Sequence, residues 1–334
     1  MHVVRSWIPA SWAGAILCLV FGLQAPDSRA QGYPNQRINV VVAFAPGGTV
    51  DLVGRTVASA LNKRLGVPVV VQNITGASGE IGTAGVVRSS PDGYTLMVGS
   101  TTSITIRPLY EPPLPYNPAT DLVPVALVAS VPHVLMVGPS VRARTLAELV
   151  AYSRAQKQPL SLGDSGVGSP HYLAGDWLKH ATGMKVNHIP YRGTSAVITD
   201  LMAGHIDMAS IELSIARTYM KDGKLTPIGL SASRRDAEWP NLPTIAEQGV
   251  VDYEITSWFG IFAPAKTPTD IVQKLNREIN LVLTDPEVRD ALTTAGLQVL
   301  GGSVDDFRAH LKREQVKWER AVKLSQANPE KPAQ

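Results

Sequence analysis

The chain has 334 residues, 44% of them hydrophobic, with 31 Lys and Arg against 28 Asp and Glu and a single cysteine. That length is enough for two domains with sizeable cores. The charge is nearly balanced, and no run of Lys and Arg is interleaved with aromatics, which excludes a nucleic-acid binder and a polybasic membrane patch. One cysteine excludes a disulfide scaffold.

Residues 1–30 differ in composition from everything that follows. His2 and Arg5 open a short basic region, residues 13–23 are apolar and uncharged, and Ser28-Arg29-Ala30 offers small residues where a signal peptidase reads them. The segment is expected to be a signal peptide cleaved before Gln31, which places the mature chain in the periplasm. The apolar stretch is shorter than the roughly 20 residues that span a bilayer as a helix. Cys18 lies inside it behind Leu17, where a lipoprotein signal wants a small residue, so the mature chain should carry neither lipid nor cysteine. Removing two arginines and one aspartate lowers its formal charge from +3 to +2.

The mature chain opens with a valine-rich run at 38–44, the pattern of a strand buried on both faces of a parallel sheet. Val53, Val57, Ala60 and Leu61 then recur at helical spacing, with Gly66 placed as a left-handed cap. Strand 67–71, helix 81–87 and strand 94–98 complete a β-α-β-α-β order, which implies helices on both faces of a parallel sheet. Prolines at 112, 113, 115 and 118 mark the connector from 108 to 124. A second alternation begins with a strand at 134–137. It continues through helix 146–153, strand 160–163, helix 171–181, strand 186–189, helix 197–202, strand 206–209 and a run at 225–230. An irregular stretch around Trp239-Pro240-Asn241-Leu242-Pro243 follows, then strand 255–262 and amphipathic helices at 269–283, 286–295 and 304–323. A tail with Pro329 and Pro332 is expected to fray. No repeat of fixed period is visible, so the order describes two α/β lobes rather than a solenoid.

Ligands of open parallel sheets bind outside the carboxyl ends of strands, where helix N-termini point backbone amides outward. Two loops have this form. One is Ala45-Pro46-Gly47-Gly48-Thr49, with Asp51 in the first turn of its helix; two glycines let the backbone approach an anion, or Thr49 simply caps the helix. The other is Gly163-Asp164-Ser165-Gly166-Val167-Gly168-Ser169, running into a helix at Pro170-His171. Ser169 can cap that helix and also face a ligand, and His171 can donate to an anion. Four or five charge-assisted hydrogen bonds of roughly 1.5–3 kcal/mol each would hold a carboxylate without an arginine.

Enzyme signatures in the second loop lack their partners. Gly163-Asp164-Ser165-Gly166 imitates a serine-protease segment in the wrong fold context, and Val167 stands where a nucleophile elbow needs glycine. His171 stands where a dinucleotide fingerprint needs its third glycine. The histidines at 133, 171, 180, 188 and 205 have no zinc-ligand spacing, and the carboxylates form no calcium loop. Neither metal nor cofactor is expected, and the chain is read as a binding protein rather than an enzyme. A hydrolase using Ser165 is the weaker alternative. Gly76-Ala77-Ser78-Gly79 lacks the Gly-Lys-Ser/Thr ending of a phosphate loop and is read as structural.

Taken in order, Tyr33-Pro34, Phe44-Ala45-Pro46-Gly47-Gly48 with Asp51, Asn73 with the glycine loop at 76–79, and Pro91-Asp92-Gly93-Tyr94-Thr95-Leu96 form one set of motifs. Leu114-Pro115-Tyr116, Ser165-Gly166-Val167-Gly168-Ser169-Pro170-His171, His188-Ile189-Pro190-Tyr191-Arg192-Gly193, Gly223-Lys224-Leu225, Leu242-Pro243-Thr244 and Lys274-Leu275-Asn276 continue it. This string resembles the Bug-type solute receptors of tripartite tricarboxylate transporters over essentially the whole mature chain. The resemblance implies a two-lobed periplasmic-binding-protein type II fold, each lobe a mostly parallel sheet flanked by helices. Lobe 1 would be residues 31–130 with 251–334, and lobe 2 residues 131–250.

It further implies a small carboxylate held between the lobes: a di- or tricarboxylate, an aromatic acid or an acidic amino acid. Phe44, Ala45, Pro46, Gly47, Gly48 and Asp51 would form one jaw, bordered by Ser100 and Thr101. Gly166, Ser169, His171, Tyr191, Gly193 and Asp207 would form the other. The partners implied are membrane permease subunits, with a sensor kinase as the alternative, and the receptor is expected to be a monomer. Val50, Arg107 and Arg192 depart from the common pattern, and Glu212 falls in the variable stretch after Asp207. These leave the far end of the ligand open, an added arginine favouring a second carboxylate and Glu212 an amino group.

Overall fold

The computed structural model describes His2 and residues 32–191 and 193–326. Apart from His2, the segment expected to be a signal peptide, with Cys18 and the expected cleavage position, and the proline-containing tail lie outside the described residues. So does Arg192.

The first alternation forms β1 (Ile38–Val42), α1 (Thr49–Leu65), β2 (Val69–Asn73), α2 (Glu80–Val87) and β3 (Thr95–Ser100). β1 pairs in parallel with β2 on one side and β3 on the other. Its continuous valines are buried because helices cover both faces. α1 ends at Gly66, whose φ of 68° is the left-handed conformation that glycine adopts without a Cβ clash. A short π-helical turn, Thr101–Ile106, follows β3, and α3 (Pro118–Asp121) closes the proline-rich connector.

The next strand departs from the sequence reading. β4 runs from Leu122 to Val137, twelve residues earlier than the strand expected at 134. Pro124 and Pro132 hide it in the sequence, since a proline cannot donate to a ladder. The strand tolerates Pro124 because the pairing register shifts between Pro124 and Ala126. Beyond it come α4 (Leu146–Ala155), β5 (Leu160–Asp164), α5 (Pro170–Thr182), β6 (Val186–Pro190), α6 (Thr194–Ala203), β7 (Met208–Glu212), α7 (Leu213–Lys221) and β8 (Thr226–Leu230). α7 has no counterpart in the sequence reading, although its buried Leu213, Ala216 and Met220 recur at helical spacing. The chain finishes with β9 (Thr256–Pro264), α8 (Thr269–Thr284), α9 (Pro286–Thr294), β10 (Gln298–Val299) and α10 (Val304–Gln326).

The strands lie in the order β2-β1-β3-β9-β4-β7-β5-β6, with β8 and β10 also paired to β4. β4 therefore belongs to two sheets. Its first part pairs antiparallel with β9 as far as Pro132 opposite Thr256, and its last five residues pair antiparallel with β7, from His133 opposite Glu212. β5 pairs in parallel with both β6 and β7, so the second sheet repeats the parallel grammar of the first.

Two cores sit beneath α10. Phe307 near its start packs on Trp258 and Phe262, with ring centroids 5.8 and 5.1 Å apart. Trp318 near its end lies fully buried in the cluster built from β5, α5 and Tyr253. The helix thus spans from the β9 side to α5 and fastens both, each large side chain contributing roughly 1.5–3 kcal/mol through burial. No described helix is long and apolar enough to cross a membrane.

Candidate ligand-binding site

Both glycine loops leave the carboxyl end of a strand and enter a helix. In the first, β1 gives way to Phe44-Ala45-Pro46-Gly47-Gly48, and Gly48 occupies the N-cap of α1 in extended conformation without a side-chain cap. A helix start leaves its first amides without intrahelical acceptors, so Gly48, Thr49 and Val50 present N–H groups at this end. Thr49 is not the cap: it is the first helical residue, and its hydroxyl donates to Glu212 instead.

Asp51 does not face outward either. It is 4% exposed, and its Oδ2 accepts the Gly47 N–H at 3.0 Å and Arg55 Nε at 2.9 Å. Its Oδ1 accepts Asn73 Nδ2 at 2.9 Å, and the same nitrogen reaches the Phe44 carbonyl at 3.1 Å. Burial alone would raise its pKa, but the bonds from Arg55, Gly47 and Asn73 outweigh burial and hold the carboxyl below its usual range. Asp51 thereby clamps the loop from behind. Ser100 and Thr101 follow β3 at the same end, but both hydroxyls serve the fold: Ser100 caps Ser103, and Thr101 accepts the Trp258 N–H at 2.8 Å.

The second loop is built the same way from different residues. Asp164, 1% exposed, accepts the Gly166 N–H at 2.7 Å through Oδ1 and meets His188 Nδ1 at 2.6 Å through Oδ2. His188 Nε2 lies 3.1 Å from Asp176 of α5, and its ring lies 4.1 Å from that of Tyr172. Burial would lower the His188 pKa, yet the two carboxylates override it and raise it to about 9. Each loop is therefore folded onto a buried aspartate that is balanced by a cation, Arg55 in one and His188 in the other. Ser169 is the N-cap of α5, accepting the Tyr172 N–H at 3.1 Å.

His171, next along the helix, brings an imidazole whose Nδ1 lies 3.4 Å from the Ser165 hydroxyl and whose buried Nε2 has no partner among the described residues. Burial lowers its pKa to about 4, so it is neutral and can donate a hydrogen bond to an anion without carrying charge. A Ser165–His171 catalytic pair would need a carboxylate on that second nitrogen, and none stands there among the described residues.

The loops converge beside the strands that join the sheets. Thr49 Oγ1 donates to Glu212 Oε2 at 2.6 Å, and the Ser257 hydroxyl also bonds Glu212. Ser257 lies 3.0 Å from His133 Nε2, whose Nδ1 is 3.3 Å from Ser210, and the His133 ring lies 4.8 Å from that of His171. One connected polar set thus runs from the first loop, across β9 and β4, to the second. Strand alternation places His133 and Ser257 on one face of the β4–β9 ladder, and Ser130, Pro132, Thr256 and Trp258 on the other. A cavity of about 980 Å³ opens on that other face, lined by these four and by Arg217, Asp236 and Glu238. Since Arg217 is paired with both acids there, the cavity is a structural groove behind the joining strands rather than the space between the loops.

Asp207 must be moved out of the site. It precedes β7 and accepts the Ser161 N–H and hydroxyl at 2.8 and 2.7 Å, at the start of β5. Glu212 ends the same strand, five residues and about 16 Å away at strand rise. The acidic residue beside the loops is therefore Glu212. Tyr191 borders the second loop, donating its backbone N–H to the Asp164 carbonyl at 2.8 Å, while its hydroxyl donates to Asp200 at 2.6 Å. Gly193 is the N-cap of α6. Arg55, Asp164 and His188 were missed by sequence reasoning. Only Asp164 had a local signal, an aspartate two residues before a glycine, the spacing of a side-chain-to-amide turn.

Two α/β sheets sharing crossing strands, with an anion-type loop from each sheet facing the junction, define a solute-binding receptor of the periplasmic class. Comparison with known proteins narrows the class. Residues 53–326 match the model described as the tripartite tricarboxylate transporter family receptor. The chain is 33% identical to Protein BugT of Bordetella pertussis over 303 residues, covering 90% of this chain and 93% of that protein.

Solved structures agree. R. palustris Rpa4515 with adipate superposes with a TM-score of 0.81 at 32% identity, covering 87% of this chain and 98% of that one. MatC from Rhodopseudomonas palustris with bound malate gives 0.78 at 30%, covering 87% and 100%. The periplasmic binding protein BugD gives 0.77 at 31%, covering 87% and 98%. The chain belongs to the tripartite tricarboxylate transporter receptor family.

Proposed function

We propose that this chain is exported by cleavage before Gln31, closes around one small carboxylate in the periplasm, and presents the closed form to the membrane permease subunits of a tripartite transporter. The observation that carries this reading is the pair of loops, 44–49 and 164–171, each braced by a buried aspartate and both directed at the His133–Ser257–Glu212 set. Amides of Gly48, Thr49 and Val50 from one side, with Ser169 and the free His171 nitrogen from the other, supply donors to one carboxylate. The adipate and malate bound by the two Rhodopseudomonas relatives are of the same chemical class.

In this reading the first lobe is residues 31–130 with 251–334 and the second is 131–250. Closure turns about β4 and β9 at the switch from Pro132 to His133, and the receptor acts as a monomer. Binding energy drives closure rather than bond breaking, so no turnover of esters or peptides is expected. The test is isothermal titration of the mature chain against dicarboxylates, aromatic acids and amino acids. One ligand per chain should bind, and Ser169→Ala or His171→Ala should weaken it about 10- to 100-fold, the range of a charge-assisted hydrogen bond. A folded chain that binds no carboxylate would refute the reading.

A further inference from the structure

Glu212 stands where the two loops meet the joining strands. It closes β7 at the loop end of the second sheet, directly opposite His133 in the β4–β7 ladder. Its carboxylate takes a hydrogen bond from Thr49 at 2.6 Å, the residue that follows the Gly47-Gly48 pair, and another from Ser257 of β9. Both partners are neutral hydroxyls.

A carboxylate largely withdrawn from water, as the part-buried Glu212 is, is ordinarily balanced by a cation, because an uncompensated charge away from water is costly. Asp51 has Arg55 and Asp164 has His188, but Glu212 forms no ion pair among the described residues. The imidazoles beside it cannot supply one, since burial keeps both His133 and His171 neutral. Burial correspondingly pushes the Glu212 carboxyl up from its ordinary value. A carboxyl that has only hydroxyl partners and no cation of its own, next to the amides that would hold a carboxylate, is matched by a ligand that brings a cation.

We propose that Glu212 is the specificity-determining residue of the cleft and receives a protonated amine, so that the solute is an amino carboxylate whose two charges lie close together. The proposal rests on the reading of the loops as a carboxylate site and goes on to name the solute. Its carboxylate meets the amides of 48–50, and its ammonium meets Glu212 beside Thr49. A dicarboxylate in the same place brings a second negative charge toward Glu212 and is disfavoured.

The experiment is calorimetric titration of wild type, Glu212→Gln, Glu212→Asp and Thr49→Val, each checked for a native thermal melt. The probes are aspartate, glutamate, β-alanine and 4-aminobutyrate against succinate, malate and adipate. Wild type should prefer an amino carboxylate over the dicarboxylate of matched length. Glu212→Gln should lose about 10- to 100-fold for the amino ligand and gain for the dicarboxylate, reversing the preference. Glu212→Asp should keep the preference with weaker binding, and Thr49→Val should change affinity without reversing selectivity, which keeps the question answerable if the Gln variant does not fold.

Dicarboxylates bound best by wild type, with a ratio unmoved in Glu212→Gln, would overturn the inference and leave the carboxylate receptor standing. Arg192 lies outside the described residues, so Arg192→Ala is measured in parallel. Control of the ratio by Arg192 instead of Glu212 would likewise overturn it. Binding of neither ligand class by folded wild type would remove the underlying reading as well.

Discussion

Asp164 and His188 stand 2.6 Å apart, joined through the same carboxylate that folds the second loop by accepting the Gly166 amide. The geometry of the loop is therefore tied to the protonation of a histidine 24 residues away on a neighbouring strand. A change that discharges His188 removes the positive charge that balances Asp164 and Asp176, and the loop is held less firmly.

That tie sets a pH dependence. The His188 pKa is raised from 6.5 to about 9 in the folded chain, so protonated His188 favours folding. Its contribution, on the order of 3 kcal/mol, is fully present below pH 6.5 and is lost as pH rises through about 9. Urea melts between pH 6 and 10 should show wild type falling toward the stability of His188→Gln across this window. A difference between the two proteins that stays constant with pH would contradict the assignment of charge to His188.

Asp51 offers the complementary case in the first loop. Replacing it by alanine removes the acceptor shared by the Gly47 amide, Arg55 and Asn73, at about 1 kcal/mol or more for these part-buried bonds. Chemical denaturation should register that loss, and ligand affinity should fall along with it because the loop loses its brace. Because the folded pKa lies below the ordinary value of 3.8, its stabilisation is present above that pH and disappears as pH falls through the depressed value. Undiminished affinity in Asp51→Ala would mean the loop needs no brace.

Gly260 on β9 tests the packing of α10. A Cβ there would lie 2.3 Å from the Phe307 ring and 3.0 Å from the Ala126 carbonyl oxygen. Gly260→Ala should destabilise the chain by about 1–3 kcal/mol through overpacking. Pairing it with Phe307→Leu in a double-mutant cycle should recover part of the loss, since the smaller side chain vacates the contact. Additive effects would show that Phe307 is not the obstacle.

Much of the architecture could be read without coordinates because its signals are local. The valine run of β1, the Gly66 cap and the Ser169 cap each depend on residues within a turn or a strand of one another, and each appears where periodicity and capping chemistry put it. Both glycine loops were found for the same reason. β4 was misjudged at its start because two prolines mimic a connector, and only pairing with β9 and a shifted register make a strand of them. Asp207 was chosen over Glu212 by position in a motif, whereas a five-residue strand puts the two at opposite ends of the sheet.

What the sequence by itself determined was the kind of surface this protein offers: two helix starts behind flexible glycines, in two repeated α/β units, ready to meet an anion. Tertiary structure decided which side chains stand behind those loops and which stand between them. Asp51 clamps its loop from behind through Gly47, Arg55 and Asn73, and Glu212 meets Thr49 from 163 residues away. The physical reason is that backbone preferences act over a few residues, while the partner of a buried charge is chosen only when distant segments close around it and exclude water.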